Sequence, residues 1–240
     1  MLSSRYLGMG IRAQRQPLCT STFISLSHCI ADNNQDFIPR LKDHLLAHHN
    51  NIPYDRDKHT FSDKERDTIT FIGNRIYKHN VLHINYTTYD LRCAQDSINV
   101  CTHPYIMTLG HEDEEEETKY HPYWYAKVLG IFHVNMRRLG HMETKRMEFL
   151  WVHWFGHNLD YEGSFETYQL HRIGLTDSED PTSYRFLNPD DVLWSVHLIA
   201  TFSPNERKQE AQDSNDLDGD MLFTEFYYVS MYVICDLSVI

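Results

Sequence analysis

The chain has 240 residues, with 22 Lys and Arg against 34 Asp and Glu, and its net charge of −12 argues against a wholly basic nucleic-acid binder. Hydrophobic residues at 41% and aromatics at 13% exclude a wholly disordered chain. No apolar run approaches the roughly 18 residues that a helical membrane span needs.

Met1 to Ile30 carries Arg5, Arg12 and Arg15 with several Ser and Thr, and no acid precedes Asp32. That is the composition of a mitochondrial presequence or of an unstructured leader, and residues 1–35 are expected as a disordered leader. Ordered structure is expected over 36–235 as one β-rich domain. Asp36 is placed to cap a helix whose first turn tolerates Pro39, with Phe37, Ile38, Leu41, Leu45 and Leu46 on one face. Ser62 and Glu65 match a capping box, so Asp63 to Arg66 is expected as a helical turn.

From Thr68 onward the pattern turns to strand. Thr68–Ile72 and Arg75–Lys78 flank Gly73-Asn74, which predicts a hairpin, and Val81–Tyr89 continues with β-branched and aromatic residues. In Tyr123–Val134, Trp124, Ala126, Val128, Gly130, Phe132 and Val134 alternate as an apolar face. Tyr123, Tyr125, Lys127, Leu129, Ile131 and His133 are expected opposite, half-buried at most. Met147–Phe155 is a second long strand, joined to the first through Asn135–Arg146 and expected beside it and antiparallel. Val192–Phe202 and Phe223–Val233 complete the set. Seven or eight strands with one N-terminal helix and short helical decorations give a mainly β (α+β) fold, a small curved sheet or a barrel of the SH3/BAH kind.

Most of the net charge lies in two places. Glu112–Glu117 is a run of six acids, and Glu206–Asp220 holds six more with only Arg207 and Lys208 among them. Dense like charge repels itself and is expensive to bury, so 111–119 and 205–221 are expected as solvated acidic loops punctuating a nearly neutral body. A cation or a basic partner is the functional alternative. The five cysteines form no Cys-x-x-Cys pair, and an odd number in a chain of this size fits reduced thiols in an intracellular compartment.

Four groups of residues bear on function. The rings Tyr123, Tyr125, Trp151 and Phe155 share strand faces and are candidates for an aromatic pocket, a geometry that binds methylated lysine by cation–π attraction. Filling the core is the competing role for these rings. Arg75, Lys78, Arg92, Lys127, Arg137, Arg138, Lys145, Arg146 and Arg172 are candidates for phosphate contact if the fold gathers them on one face, and ordinary surface charge if it does not. His44 and His48 have the i, i+4 spacing of a zinc pair but lack a defined third ligand, so an exposed helix face is expected. Asp216, Asp218 and Glu225 fall at the third, fifth and twelfth places of a calcium loop whose first place is Ser214, which reads instead as an acidic turn. Asp90 and Asp96 have no third acid in a recognisable context, and phosphate-loop and nucleophile-elbow patterns are missing, so no catalytic residues, cofactor or small-molecule substrate are assigned.

Several ordered segments carry a family resemblance. They are Asp36-Phe-Ile-Pro-Arg-Leu-Lys-Asp-His-Leu-Leu46, Leu82-His-Ile-Asn-Tyr-Thr-Thr-Tyr-Asp-Leu-Arg92, Gln95-Asp-Ser-Ile-Asn99 and His121-Pro-Tyr-Trp-Tyr-Ala126. Val128-Leu-Gly-Ile-Phe-His133, Met147-Glu-Phe-Leu-Trp-Val-His-Trp-Phe-Gly156, Phe186-Leu-Asn-Pro189 and Val196-His-Leu-Ile199 follow. From about Asp36 to about Val233 the chain resembles the C-terminal region of proteins encoded by Plavaka-type, CACTA-like transposons of mushroom-forming fungi. The chain departs from the family pattern at Cys93-Ala94, at Val100-Cys101, at His153 and over Cys235–Ile240, and three arginines of the pattern are lost. The resemblance implies a transposon-derived protein; with no catalytic residues assigned, the expectation is a non-catalytic accessory or binding domain that contacts DNA or a chromatin protein in the nucleus, and the lack of a long apolar run gives the expectation of no membrane. A non-functional relic and a metal-dependent hydrolase are the other classes, and the N-terminal arginines leave the mitochondrion as the other location.

Overall fold

The computed structural model describes residues 36–52, 60–87, 93–110, 123–157, 170–180, 182–201 and 226–229, together with the backbone of Thr22–Ser25. Arg92, Asp216, Asp218, Glu225 and both acidic runs lie outside the described residues. The fold is mainly β, with a curled half-barrel sheet and two short α-helical elements.

Its centre is a hairpin of two long antiparallel strands, β7 (Tyr123–Arg138) and β8 (Thr144–His157). The adjacency expected from their apolar faces is found, but the connection is far tighter than Asn135–Arg146. Asn135 pairs with Arg146 inside the ladder, and residues 139–143 make the turn. Along the free edge of β7 run three short strands in succession. These are β2 (Ile69–Phe71), β3 (Arg75–His79) and β6 (Tyr105–Leu109). The free edge of β8 takes β9 (Arg172–Leu175) and β10 (Tyr184–Leu187). The strand β1 (Thr22–Ser25) pairs with β3, so four residues of the segment expected as a leader are in the sheet.

The remaining strands curl the sheet. β11 (Val192–Ser195) pairs with β6, and β12 (Leu198–Ala200) pairs with β13 (Phe226–Val229), which in turn pairs with β9. The single strand expected over Val192–Phe202 is therefore two, kinked at Val196-His197, and this kinked run bridges from the β6 edge to the β9–β13 edge. Around the resulting interior stand Met107, Tyr125, Phe155, Ile173, Val196, Leu198 and Val229, with Tyr105, Tyr123, Trp194 and Tyr227 partly buried beside them.

A register shift between Val128 and Gly130 decides which side chains are inside. One extra residue, Leu129, inverts the alternation, as a β-bulge must. The two-faced pattern expected of this strand is corrected: beyond the bulge Ile131 and His133 are buried, and before it Tyr125 is buried in the curled interior while Trp124 is only partly so. On one face, Ala126, Val128, Ile131, Leu150 and Val152 pack against the separate hairpin of β4 (Val81–Thr87) and β5 (Cys93–Asn99) through Leu82, Ile84 and Ile98. On the other, Val134, Met136, Met147 and Phe149 receive helix α1 (Phe37–His49) through Leu41, Leu45 and Leu46. The apolar face read for this helix is the one that packs, although Asp36 makes no side-chain cap.

The short helix α2 (Asp63–Arg66) starts as expected, with Glu65 Oε2 accepting from Ser62 N at 2.9 Å. Arg66 then reaches back to α1, donating Nε and Nη2 to the two carboxylate oxygens of the buried Asp43, both at 2.7 Å. The Gly73-Asn74 hairpin does not form. Gly73 and Asn74 do adopt positive φ, +67° and +54°, yet β2 and β3 lie end to end along β7. Phe71 is opposite Met136 and Tyr77 is opposite His133, so six residues of this run span three of β7. The dipeptide ends a 3-10 turn over Ile72–Asn74 that loops out of the ladder, because β7 offers pairing partners on both sides of it.

Candidate nucleic-acid interface

At the end of the β7–β8 hairpin the ladder brings cations together from both strands. Met136 pairs with Lys145, Asn135 with Arg146, and Arg137 with Thr144. Arg138 closes the row opposite Ile69, and Arg75, at the start of β3, comes two residues before Tyr77, the partner of His133. Arg75, Arg137, Lys145 and Arg146 are exposed. Their field is felt locally: the His49 imidazole at the end of α1 is held below its ordinary value first by burial and then by Lys145, Arg138 and His141. Some of this charge is already committed. Arg138 Nη1 donates to Asn50 Oδ1 at 3.2 Å, and Arg146 Nη2 lies 3.0 Å from Glu148 Oε1.

The other basic candidates are elsewhere. Lys127 sits mid-strand opposite Tyr105 and His153, and Lys78 pairs with Phe132. Arg172 is buried, with its guanidinium carbon 3.9 Å from the Phe226 ring centroid. So Arg75, Arg137, Arg138, Lys145 and Arg146 lie at one end of the sheet but not on one face: Arg138 and Lys145, opposite Ile69 and Met136, share the α1 side, and Arg75, Arg137 and Arg146 lie on the other, while Lys78, Lys127 and Arg172 are elsewhere.

Three of the four aromatic candidates share one interior and the fourth, Trp151, lies elsewhere. Tyr125 is 1% exposed and Phe155 is buried, both in the curled interior with Tyr123. There Tyr105, Phe155 and Tyr227 stand 5.8–6.3 Å apart, centroid to centroid, in tilted and edge-on contact. Rings at this spacing touch one another, the arrangement of a packed core. Trp151 belongs instead to the layer under α1, 4.6 Å from Phe186 and 6.0 Å from Tyr184, with Arg40 5.7 Å from its ring. Core filling describes Tyr125 and Phe155.

The histidines correct another expectation. His44 and His48 do not form an exposed helix face. His44 is buried 5.8 Å from the Phe186 ring, and His48 Nε2 lies 3.2 Å from Asn188 Nδ2. They help seat α1 on β10. Among the described residues, no group of three or more His, Cys, Asp or Glu is placed to hold a metal ion.

Periodicity gave no warning of a buried histidine pair. His79, 1% exposed, and His133, 6% exposed, bring Nε2 and Nδ1 to 2.6 Å, and Tyr77 stacks on His133 at 4.6 Å. Burial, and then the Arg146 charge, lower both pKa values, with His133 falling to about 4 and Glu148 opposing. Near neutral pH the pair is therefore uncharged, with one proton between the two facing nitrogens. His157, in the curled interior, is likewise lowered to about 4 by burial and then by His171.

Comparison with models of known protein families, with curated proteins and with solved structures finds no match.

Proposed function

We propose that the chain is a non-catalytic accessory domain of a transposon-derived protein, working in the nucleus and contacting DNA phosphates with the β7–β8 hairpin end. The observation that supports this reading most strongly is that Arg137, Arg138, Lys145 and Arg146 all lie at the end of one hairpin, two on each face, with Arg75 on the neighbouring strand. Phosphate contacts supply most sequence-independent affinity for nucleic acid, and they require cations that reach water rather than cations spent in the core. The resemblance to transposon-encoded proteins gives such a surface a sensible partner. The acidic runs, with twelve acids and two bases, oppose binding through a field that salt screens within about 10 Å.

The test is a titration of labelled duplex against the full chain and against an Arg137→Glu/Lys145→Glu variant, at two salt concentrations. Binding should weaken with salt in the parent, and the variant should lose about two from the slope of log K against log salt. Shortening 111–119 and 205–221 should strengthen binding at low salt and matter less at high salt. Undetectable binding by all versions at low salt would leave the relic reading in its place. Duplex cleavage dependent on a divalent metal would contradict the non-catalytic assignment.

A further inference from the structure

The turn that carries these cations also exposes two aliphatic side chains. Leu139 is 80% exposed and Met142 is 92% exposed, the two largest exposures among the described large apolar residues. The backbone defines the turn. His141 N donates to Arg138 O at 3.0 Å and Gly140 has φ +86°, which makes Arg138–His141 a type II turn with Leu139 at its corner. Leu139 N is also tied to Thr68 O at 2.7 Å, so the end of α2 braces the tip from the side. Nothing lies within 4 Å of where a Gly140 side chain would begin. The glycine is required by its dihedral angle, and the space around the tip is open.

We propose that Leu139 and Met142 form a wedge that inserts at a base step of duplex DNA while Arg137 and Lys145 hold the flanking phosphates. This rests on the DNA-binding reading above and adds what touches the bases. Apolar side chains that unstack a base step work singly or in pairs, and they need cations beside them to hold the kinked backbone. The hairpin supplies both within a few residues: Arg137 and Arg138 precede the wedge on one strand, and Lys145 and Arg146 follow it on the other. Glu143 is the one acid inside the segment 137–146, and it is exposed. An anionic bilayer would meet the same chemistry, but Leu139 and Met142 together carry fewer apolar carbons than a single myristoyl chain, which itself attaches only marginally. Two side chains suffice for a base step and are too few for a membrane anchor.

The experiment uses the full chain and a duplex with 2-aminopurine at a central T–A step, a flexible step that opens easily. Binding is read by anisotropy and unstacking by the rise in 2-aminopurine fluorescence. The parent should give both signals. Leu139→Ser/Met142→Ser, whose folding is checked by its melting curve, should bind five- to tenfold more weakly with an unchanged salt slope and no fluorescence rise. Arg137→Glu/Lys145→Glu should lose most of the affinity itself. A serine variant with undiminished affinity and fluorescence would overturn the wedge and leave the phosphate contacts standing. A parent that does not bind the duplex would overturn both. Flotation with phosphatidylserine vesicles that depends on Leu139 and Met142, without any fluorescence change on DNA, would overturn the wedge in favour of a lipid surface.

Discussion

The two ends of β7 serve opposite purposes. Around Tyr123 and Tyr125 the strand lines an interior filled by Met107, Phe155, Ile173 and Val229. Fifteen residues further on, at Arg138, the same strand ends in cations and two bare aliphatic side chains. The first end stabilises the fold by removing large rings from water, and the second leaves Arg137, Leu139, Met142 and Lys145 exposed. A single strand can do both because the bulge at Leu129 and the change of neighbours, from β6 to β3 and β2, alter what each stretch packs against.

This contrast predicts a gradient of mutational cost. Tyr125→Ala should destabilise by about 3–5 kcal/mol, as for other large aromatic deletions from a core, whereas Leu139→Ser should stay within about 0.5 kcal/mol. Chemical denaturation of both variants measures the difference, and equal costs would dissolve the distinction. The next largest effect should come from the brace beside the tip. Arg66→Ala leaves the Asp43 carboxylate buried without its bidentate partner, and about 2–3 kcal/mol should be lost, less than for a fully buried pair because Arg66 is part-exposed.

Acid should act through the buried imidazoles. His133 and His157 titrate near 4 in the folded chain against 6.5 when exposed, so between these values the unfolded chain binds more protons. The stabilisation is complete above 6.5 and is lost as the pH falls toward 4. Melting temperature should fall across that window, and His133→Gln, compared with its own value at pH 7, should show a shallower fall. The smallest effect concerns the tip backbone. Gly140→Ala has room for its methyl group but not the dihedral angle, and should cost about 1 kcal/mol while weakening DNA binding through a distorted turn.

The sequence disclosed those parts of the fold that rest on local periodicity. The α1 face, the Ser62–Glu65 start and the two long strands all follow from spacing within one segment. The bulge at Leu129 was hidden because an unbroken apolar run reads the same with or without a shifted register. At Gly73-Asn74 a dipeptide that favours positive φ suits a 3-10 loop between two strands as well as a hairpin, and only the presence of β7 alongside decides between them. β9 and β10 are four residues each, too short to show a period. The basic residues are legible in the sequence as a list but not as a place, since only the pairing of β3 and β8 with β7 brings Arg75 and Lys145 to the same end of the sheet. Leu139 and Met142 carry no signal in the sequence, because Asn135–Arg146 has the composition of an ordinary connection.

Site-specific crosslinking tests the central claim most directly. A photoreactive side chain is placed at position 142 on the hairpin tip, and separately at 184, where Tyr184 stacks on Trp151 far from the tip in sequence. Each protein is mixed with labelled duplex at low salt and irradiated. Transfer of label from position 142, reduced by added salt, with none from 184, is the predicted result. Label captured at 184 and not at 142 would contradict the assignment of the β7–β8 hairpin end as the DNA-binding surface.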